Sequence, residues 1–169
     1  MKKQTYRNIS EFIRNSEKKK MILIYANKIL TALVYIAYPL SLVAACMRGI
    51  DQLLRSILIP AVCFVLLSVF RNWYNAPRPY EVIDMEPIIK KDTKGHSFPS
   101  RHVFSAFLIS MVIFHLSKPC GVLLLFIATC IATVRVLGGV HFLKDVMVGA
   151  SIGVLSWFCG NWLLDIIIK

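Results

Sequence analysis

Long apolar stretches separated by short polar segments run through most of this sequence. Almost no charge occurs in residues 29–46, 57–70 and 146–168. Because roughly 20 apolar residues of helix are needed to cross the hydrocarbon core of a bilayer, the pattern predicts membrane-spanning helices. We place about five of them, at residues 21 or 29 to 47, 53–70, 100–116, 121–134 and 142–168. The predicted fold class is all-α, a polytopic transmembrane helical bundle.

The first 20 residues differ from the rest in being polar and basic. Ile9, Phe12 and Ile13 recur at helical spacing among Lys, Arg and Glu, a pattern typical of an amphipathic helix on a membrane surface. A disordered basic tail is the alternative interpretation. We therefore divide the chain into a basic amphipathic N-terminal segment, residues 1–20, and a membrane domain, residues 21–169.

Composition agrees with a membrane protein, since 57% of the residues are hydrophobic, 17% are charged and the mean hydropathy is +0.64. A net charge of +11 would suggest nucleic acid as a partner of a soluble protein, but seven of the 20 basic residues lie in the first 20 positions. Basic residues that flank apolar spans more often meet anionic headgroups or set topology. We expect a membrane and no nucleic acid as the partner.

One connection, residues 71–99, is polar, carries both signs of charge and contains Pro77, Pro79, Pro87 and Gly95. Such a segment must lie outside the hydrocarbon, and a connection of this length in a small protein is usually functional.

Three clusters flank this loop or begin the later spans. Up-and-down threading of the predicted spans brings all three to one membrane face. They are Arg71 to Arg78-Pro79, Phe98-Pro99-Ser100-Arg101-His102, and Arg135 to His141 and Asp145.

The residue types in these clusters suit a phosphate ligand. Arginine presents a planar fork of donors that matches phosphate oxygens two at a time, and three forks can neutralise a dianion. Ser100 follows Pro99 at a predicted helix start, where free backbone N–H groups form an anion site.

The histidines add candidate chemistry. His141 and Asp145 are four residues apart, which on a helix puts them on one face, where the carboxylate orients one ring nitrogen and leaves the other as a nucleophile. His102 is then available as a general acid. His96 and His115 lie outside the clusters, and we interpret them as a loop residue and a packing or interfacial residue. Phosphoryl transfer by these groups requires no metal or other cofactor, and the carboxylates show no metal-ligand spacing: Glu81, Asp84 and Glu86.

Together the clusters resemble the signature of the type-2 phosphatidic acid phosphatase superfamily, which also contains bacterial acid phosphatases and vanadium haloperoxidases. That signature reads Lys, six residues, Arg-Pro; then Pro-Ser-Gly-His; then Ser-Arg, five residues, His, three residues, Asp. The spacings in this chain match. The resemblance implies that His141 is a nucleophile that becomes phosphohistidine, with Asp145 orienting it and His102 as the acid. It implies phosphate binding by Arg71, Arg78, Ser100, Arg101 (through its backbone N–H) and Arg135.

The chain departs from the signature at three positions. Arg71 replaces Lys and keeps the charge, Arg101 replaces Gly at a helix start, and Val134 replaces the Ser before Arg135 and removes one hydrogen bond.

The resemblance implies an integral membrane lipid phosphatase that acts on a phosphomonoester or diphosphate. Phosphatidic acid, phosphatidylglycerophosphate and polyprenyl (di)phosphate present the same group to the arginines. The alternative is a non-catalytic lipid-binding or scramblase-like protein of the same fold. A vanadate haloperoxidase is disfavoured, because those enzymes are larger and soluble.

Two arguments give opposite answers for the membrane face of the site. With five spans, the N-terminus lies on the same side of the membrane as the active-site loop, residues 71–102, and that side carries most of the basic residues. The positive-inside rule therefore places the site on the cytoplasmic face. Bacterial relatives that recycle polyprenyl carriers typically work on the outer face. We follow the resemblance and expect a multi-pass protein of the cell membrane with an extracytoplasmic site.

Overall fold

The computed structural model describes residues 8, 11–83, 86–89 and 93–167. Within these residues the chain is helical and contains no strand, which confirms the predicted all-α class. The helices are α1 (Glu17–Met47), α2 (Ile50–Tyr74), the single turn α3 (Pro79–Val82), α4 (Arg101–Leu116), α5 (Lys118–Leu137) and α6 (Leu143–Ile167).

Helix α4 is the centre of the bundle. Ten of its 16 residues are buried, and it contacts α1, α2, α5 and α6. The four surrounding helices are long and apolar enough to cross a membrane, whereas α4 is apolar but shorter. They turn many large apolar side chains outward, where a bilayer would cover them. The protein is therefore a polytopic helical bundle around one short buried helix.

Two glycines bring α6 against α4. A Cβ atom at Gly149 would lie 2.8 Å from the carbonyl oxygen of Ser100, and one at Gly153 would lie 2.7 Å from that of Phe104. Small residues four apart allow such backbone contact between membrane helices. The start of α4 is joined to α6 by a hydrogen bond of 2.9 Å from the Ser100 N–H to the Asp145 carbonyl oxygen.

Several helices extend beyond the predicted spans. α1 begins at Glu17, so the boundary that we drew after residue 20 falls inside this helix. α2 continues through Arg71 to Tyr74, so the polar connection starts later than the charge pattern suggested. α5 includes Pro119 in its first turn, where the missing N–H of proline costs nothing.

The described part of the N-terminal segment, from residue 11 onward, lies at the same end of the bundle as the long loop. Residues 11–14 are helical, and Ile13 is buried with Leu23 and Ile88. Arg14 donates a hydrogen bond to the carbonyl oxygen of Glu86. Of the predicted amphipathic face, Phe12 is 67% exposed and Ile9 lies outside the described residues.

Candidate active site

The three sequence clusters converge at this end of the bundle. Arg71 is in the last turn of α2, Ser100 immediately precedes α4, Arg135 is in the last turn of α5, and His141 lies in the turn before α6. All four side chains are buried. The threading argument from the sequence is therefore consistent with the structure.

Arg71 ties the end of α2 to the segment that leads into α4. Its guanidinium donates to the carbonyl oxygens of His96, Ser97 and Pro99. These three carbonyl oxygens lie along one short segment of the loop, and the planar guanidinium group can donate to several of them at once. The arginine at this position, where the superfamily signature has lysine, thus fixes the backbone just before Ser100.

Arg78 is buried to 2% exposure and joins two parts of the loop region. Its Nε donates to the Gly95 carbonyl oxygen at 2.9 Å and a terminal nitrogen donates to that of Val140 at 3.1 Å. Glu81, for which the sequence suggested no role, accepts from the Arg78 N–H at 2.7 Å and from the Gly95 N–H at 2.9 Å. This carboxylate therefore holds the loop around Arg78.

Two buried donors at this end of the bundle, the Arg135 Nε and the Ser100 hydroxyl, have no hydrogen-bond partner among the described residues. The same holds for the acceptor Oδ1 of Asp145. Ser100 occupies the expected N-cap position, yet its hydroxyl makes no cap hydrogen bond there. A buried donor without a partner costs free energy, so both groups point to a ligand that is not protein.

Positive charge is in excess here. Electrostatic repulsion couples Arg71 with Arg78 and Arg101, and Arg78 with Arg135. Within the part of the chain that the structure describes, Asp145 is the only buried carboxylate. Several buried guanidinium groups beside one carboxylate form a site suited to an anion.

His141 and Asp145 are adjacent, although not in the way we argued from the sequence. α6 begins only at Leu143, so His141 precedes the helix and the two residues do not share a helical face. The His141 Nδ1 lies 3.6 Å from the Asp145 Oδ2. That oxygen also accepts from the Phe142 N–H at 3.0 Å, which bends the turn so that the ring faces the carboxylate.

Ser97 completes this group and was missed in the sequence analysis. Its hydroxyl, fully buried, lies 2.5 Å from the Asp145 Oδ2 and 3.5 Å from the His141 Nδ1. The serine donates to the carboxylate and fixes its orientation. Ser97 lies in the polar loop before Phe98-Pro99, where no periodicity distinguishes it from its neighbours.

The remaining residues of the motifs lie in the first turn of α4 and the last turn of α5. His102 is in the first turn of α4 and lines a small pocket with residues of α1 and α5. The side chain of Arg101 is exposed, with its guanidinium carbon 5.3 Å from the centre of the Phe64 ring. Val134 packs against the apolar cluster around Leu23, so at this position an apolar contact stands where the signature has a serine hydroxyl.

The polar residues that we interpreted as peripheral have defined contacts. The His96 N–H donates to the Asn75 Oδ1 at 3.2 Å, and its ring Nδ1 lies 3.1 Å from the Arg71 carbonyl oxygen. His115 contacts Trp157, with ring centres 5.6 Å apart and the ring planes tilted by 58°. At the opposite end of the bundle, Arg55 forms ion pairs with two aspartates: Asp51 and Asp165.

Comparisons with known proteins identify relatives of this chain. A model of the PAP2 superfamily matches residues 52–166. The bacitracin transport permease protein BcrC of Bacillus licheniformis is 43% identical over 101 residues, which cover 60% of this chain and 50% of the relative. The match thus spans about half the length of that curated protein.

Two solved structures share the fold. LpxE of Aquifex aeolicus superposes with a TM-score of 0.73 at 25% identity, covering 94% of this chain and 93% of the other. A transmembrane PAP2-type phosphatidylglycerolphosphate phosphatase of Bacillus subtilis superposes with a TM-score of 0.62 at 21% identity, covering 98% of this chain and 94% of the other.

Proposed function

The chain belongs to the PAP2 superfamily, and we propose that it is a membrane lipid phosphatase that hydrolyses a phosphomonoester or diphosphate of a lipid through a phosphohistidine. The observation that carries the proposal is the buried excess of arginine beside a histidine whose one ring nitrogen faces a fixed carboxylate. This arrangement provides both an anion site and a nucleophile.

In the proposed first step the Nε2 of His141 attacks phosphorus while the bond from phosphorus to the lipid oxygen breaks. The Asp145 carboxylate, held by Ser97, keeps the His141 Nδ1 protonated and stabilises the positive charge that the ring gains. His102 donates a proton to the leaving oxygen. In the second step water attacks the phosphohistidine, His102 takes a proton from that water, and inorganic phosphate leaves.

The arginines act on charge rather than on bonds in this proposal. Negative charge spreads over the equatorial oxygens in the transition state of phosphoryl transfer. Donors already in position there lower the barrier, because no reorganisation is needed at the moment of reaction. Arg71 and Arg78 are held by carbonyl oxygens, and Arg135 offers a free Nε.

A lipid is the proposed substrate because the site lies at one end of a membrane-spanning bundle. Phosphatidic acid, phosphatidylglycerophosphate and polyprenyl (di)phosphate all present a terminal phosphoryl group to the arginines. The groups that select among them lie beyond the phosphate.

We expect the purified protein in detergent to release inorganic phosphate from at least one of these three lipids. Activity should persist in excess EDTA, since the proposed steps use only side chains, and vanadate should inhibit it by mimicking the trigonal-bipyramidal transition state. Phosphate release measured with and without each additive tests this. Binding of the lipids without phosphate release would support the non-catalytic alternative, and loss in EDTA that a divalent ion restores would refute the metal-free mechanism.

We further propose that the site faces the outside of the cell. Five helices of the described chain run between the two ends of the bundle, which puts Arg14, Lys18, Lys19, Lys20 and Lys94 at the site's end and Arg48 and Lys118 at the other. By the positive-inside rule this distribution favours a site on the cytoplasmic face. Basic residues around a site for anionic lipids have a second explanation, because they attract the substrate from either face. The proposal therefore keeps the orientation that the resemblance implies.

Labelling of single cysteines distinguishes the two orientations. In a cysteine-free background, we expect Lys94→Cys, exposed at the site's end, to react with a membrane-impermeant maleimide in intact cells. The matched control Lys118→Cys, exposed at the opposite end, should react only after the cells are opened. If the cysteine at position 118 reacts in intact cells and the one at position 94 only after the cells are opened, the site lies on the cytoplasmic face.

A further inference from the structure

Helix α1 carries polar residues at four-residue intervals within its apolar sequence. Asn27, Thr31 and Tyr35 are each separated by four residues, so they follow one face of the helix. Polar side chains inside a membrane span are costly and usually face the protein interior or a functional cavity. None of the three belongs to the sequence clusters described above.

Two of these residues have buried polar atoms without partners. The Asn27 Oδ1 and the Thr31 Oγ1 are buried and have no hydrogen-bond partner within the described residues. Hydroxyl groups elsewhere in the bundle bond to their own helix, as Thr129 does to the Leu125 carbonyl oxygen at 2.9 Å. The unsatisfied atoms on α1 therefore have a cost that a bound molecule would relieve.

The strip borders the residues proposed to act on the substrate. Thr31 and Tyr35 line a small pocket between α1, α4 and α5 together with His102. Ile131 also lines it, one helical turn from Arg135. Tyr35 interacts electrostatically with Arg135. Thr31 and Tyr35 thus lie beside the general acid, and Tyr35, although 58% exposed, lies within electrostatic reach of one proposed phosphate-binding arginine. Asn27 lies one helical turn before Thr31 on the same face.

We propose that Asn27, Thr31 and Tyr35 form a hydrogen-bonding wall of the substrate site that binds the lipid on the leaving-group side of the scissile bond. This rests on the proposed function, in which His102 protonates the leaving oxygen. What lies next to His102 is then the part of the lipid that departs.

Polar side chains on the leaving-group side of the scissile bond favour one chemical class of substrate. The hydroxyls of Thr31 and Tyr35 gain nothing from a hydrocarbon chain, but they can donate hydrogen bonds to oxygen atoms next to the scissile bond. The Asn27 Oδ1 can only accept a hydrogen bond, so it suits a hydroxyl of the lipid and not a phosphate oxygen. Oxygen atoms next to the scissile bond belong to a second phosphate or to an ester-linked glycerol. A plain alkyl phosphate has none. The α1 wall therefore favours a diphosphate or glycerol phosphate lipid over an alkyl monophosphate.

The test compares Thr31→Val and wild type on three probes: farnesyl diphosphate, phosphatidic acid and dodecyl phosphate. The substitution keeps the side-chain shape and removes the hydroxyl. Of farnesyl diphosphate and phosphatidic acid, we consider the one that wild type hydrolyses faster. On that probe we expect Thr31→Val to lower kcat/KM about tenfold, because this is the effect of losing one hydrogen bond to a charged or polar group. Hydrolysis of dodecyl phosphate should be unchanged. A selective fall on farnesyl diphosphate identifies a second phosphate as the bound group, and one on phosphatidic acid identifies the glycerol esters.

Thr129→Val is the matched control, because its hydroxyl bonds to its own helix on an exposed face, and it should leave all three rates unchanged. Melting temperatures in detergent monitor folding, and Thr31→Val should melt no lower than wild type because it removes an unpaired hydroxyl. An equal fall of kcat/KM on all probes, or no fall on any, overturns this inference while the phosphatase proposal stands. A wild-type protein that is inactive on every probe overturns both.

Discussion

Replacing His141 with alanine is expected to lower phosphatase activity by a factor on the order of 1,000 or more, because removing a nucleophile abolishes the covalent route. The ring is buried to 1% exposure and faces Asp145, so the substitution leaves the arginines in place. Phosphate release from the lipid that wild type hydrolyses best measures the effect. Acid quenching during turnover should trap a labelled phosphoenzyme in wild type and none in the variant.

His115→Ala serves as the control for this experiment. That histidine lies in the last turn of α4, at the end away from the site, where its ring contacts Trp157 of α6. Its loss should leave activity near wild type. Asp145→Asn should lower the activity less than His141→Ala does. The amide oxygen of asparagine can still accept the hydrogen bond from Ser97, although the negative charge that stabilises the ring is lost. Near wild-type turnover by His141→Ala would show that the proposed covalent mechanism is wrong.

The fold was largely predictable because membrane-spanning helices can be recognised from their apolar composition. A span needs an uninterrupted apolar stretch, and α1, α2, α5 and α6 each contain one. The helix ends were less accurate. Arg71 is charged and was placed in the loop, yet it continues α2, because three carbonyl oxygens of the loop satisfy its guanidinium inside the protein.

The central position of α4 could not be read from hydropathy. A helix surrounded by protein and one surrounded by lipid are both apolar, and transfer of their side chains from water is favourable in both cases. What distinguishes α4 is close backbone contact at Gly149 and Gly153 of α6. Glycine spacing carries this information only when the partner helix is known.

The candidate site separates into residues with a motif and residues without one. Motif spacing found His141 and Asp145, although the argument that both lie on one helix was wrong. Ser97 and Glu81 act through tertiary hydrogen bonds between segments far apart in sequence. Local patterns do not encode such contacts, so these two residues became visible only in the folded chain.

The arginines differ in what holds them, and this predicts different results on substitution. Arg78 donates to the carbonyl oxygens of Gly95 and Val140, whereas the Nε of Arg135 is buried without a partner among the described residues. Arg78→Met leaves two buried acceptors unpaired, which destabilises the fold. Arg135→Met removes a buried charge whose Nε has no partner among the described residues, and apolar replacement of poorly paired buried charges is often neutral or stabilising.

We therefore expect the Arg135→Met protein to melt at or above the wild-type temperature. Its kcat/KM for the lipid should fall about 100- to 1,000-fold, because this is the usual effect of losing one preorganised donor to a transition-state oxyanion. Arg78→Met should lose activity and melt lower. Thermal unfolding in detergent, with and without vanadate, separates the two effects. Vanadate should raise the melting temperature of wild type, because a ligand that binds only the folded state stabilises it, and should raise that of Arg135→Met much less. If Arg135→Met instead melts as low as Arg78→Met, or keeps the full vanadate shift, Arg135 supports the fold and does not hold the phosphoryl group.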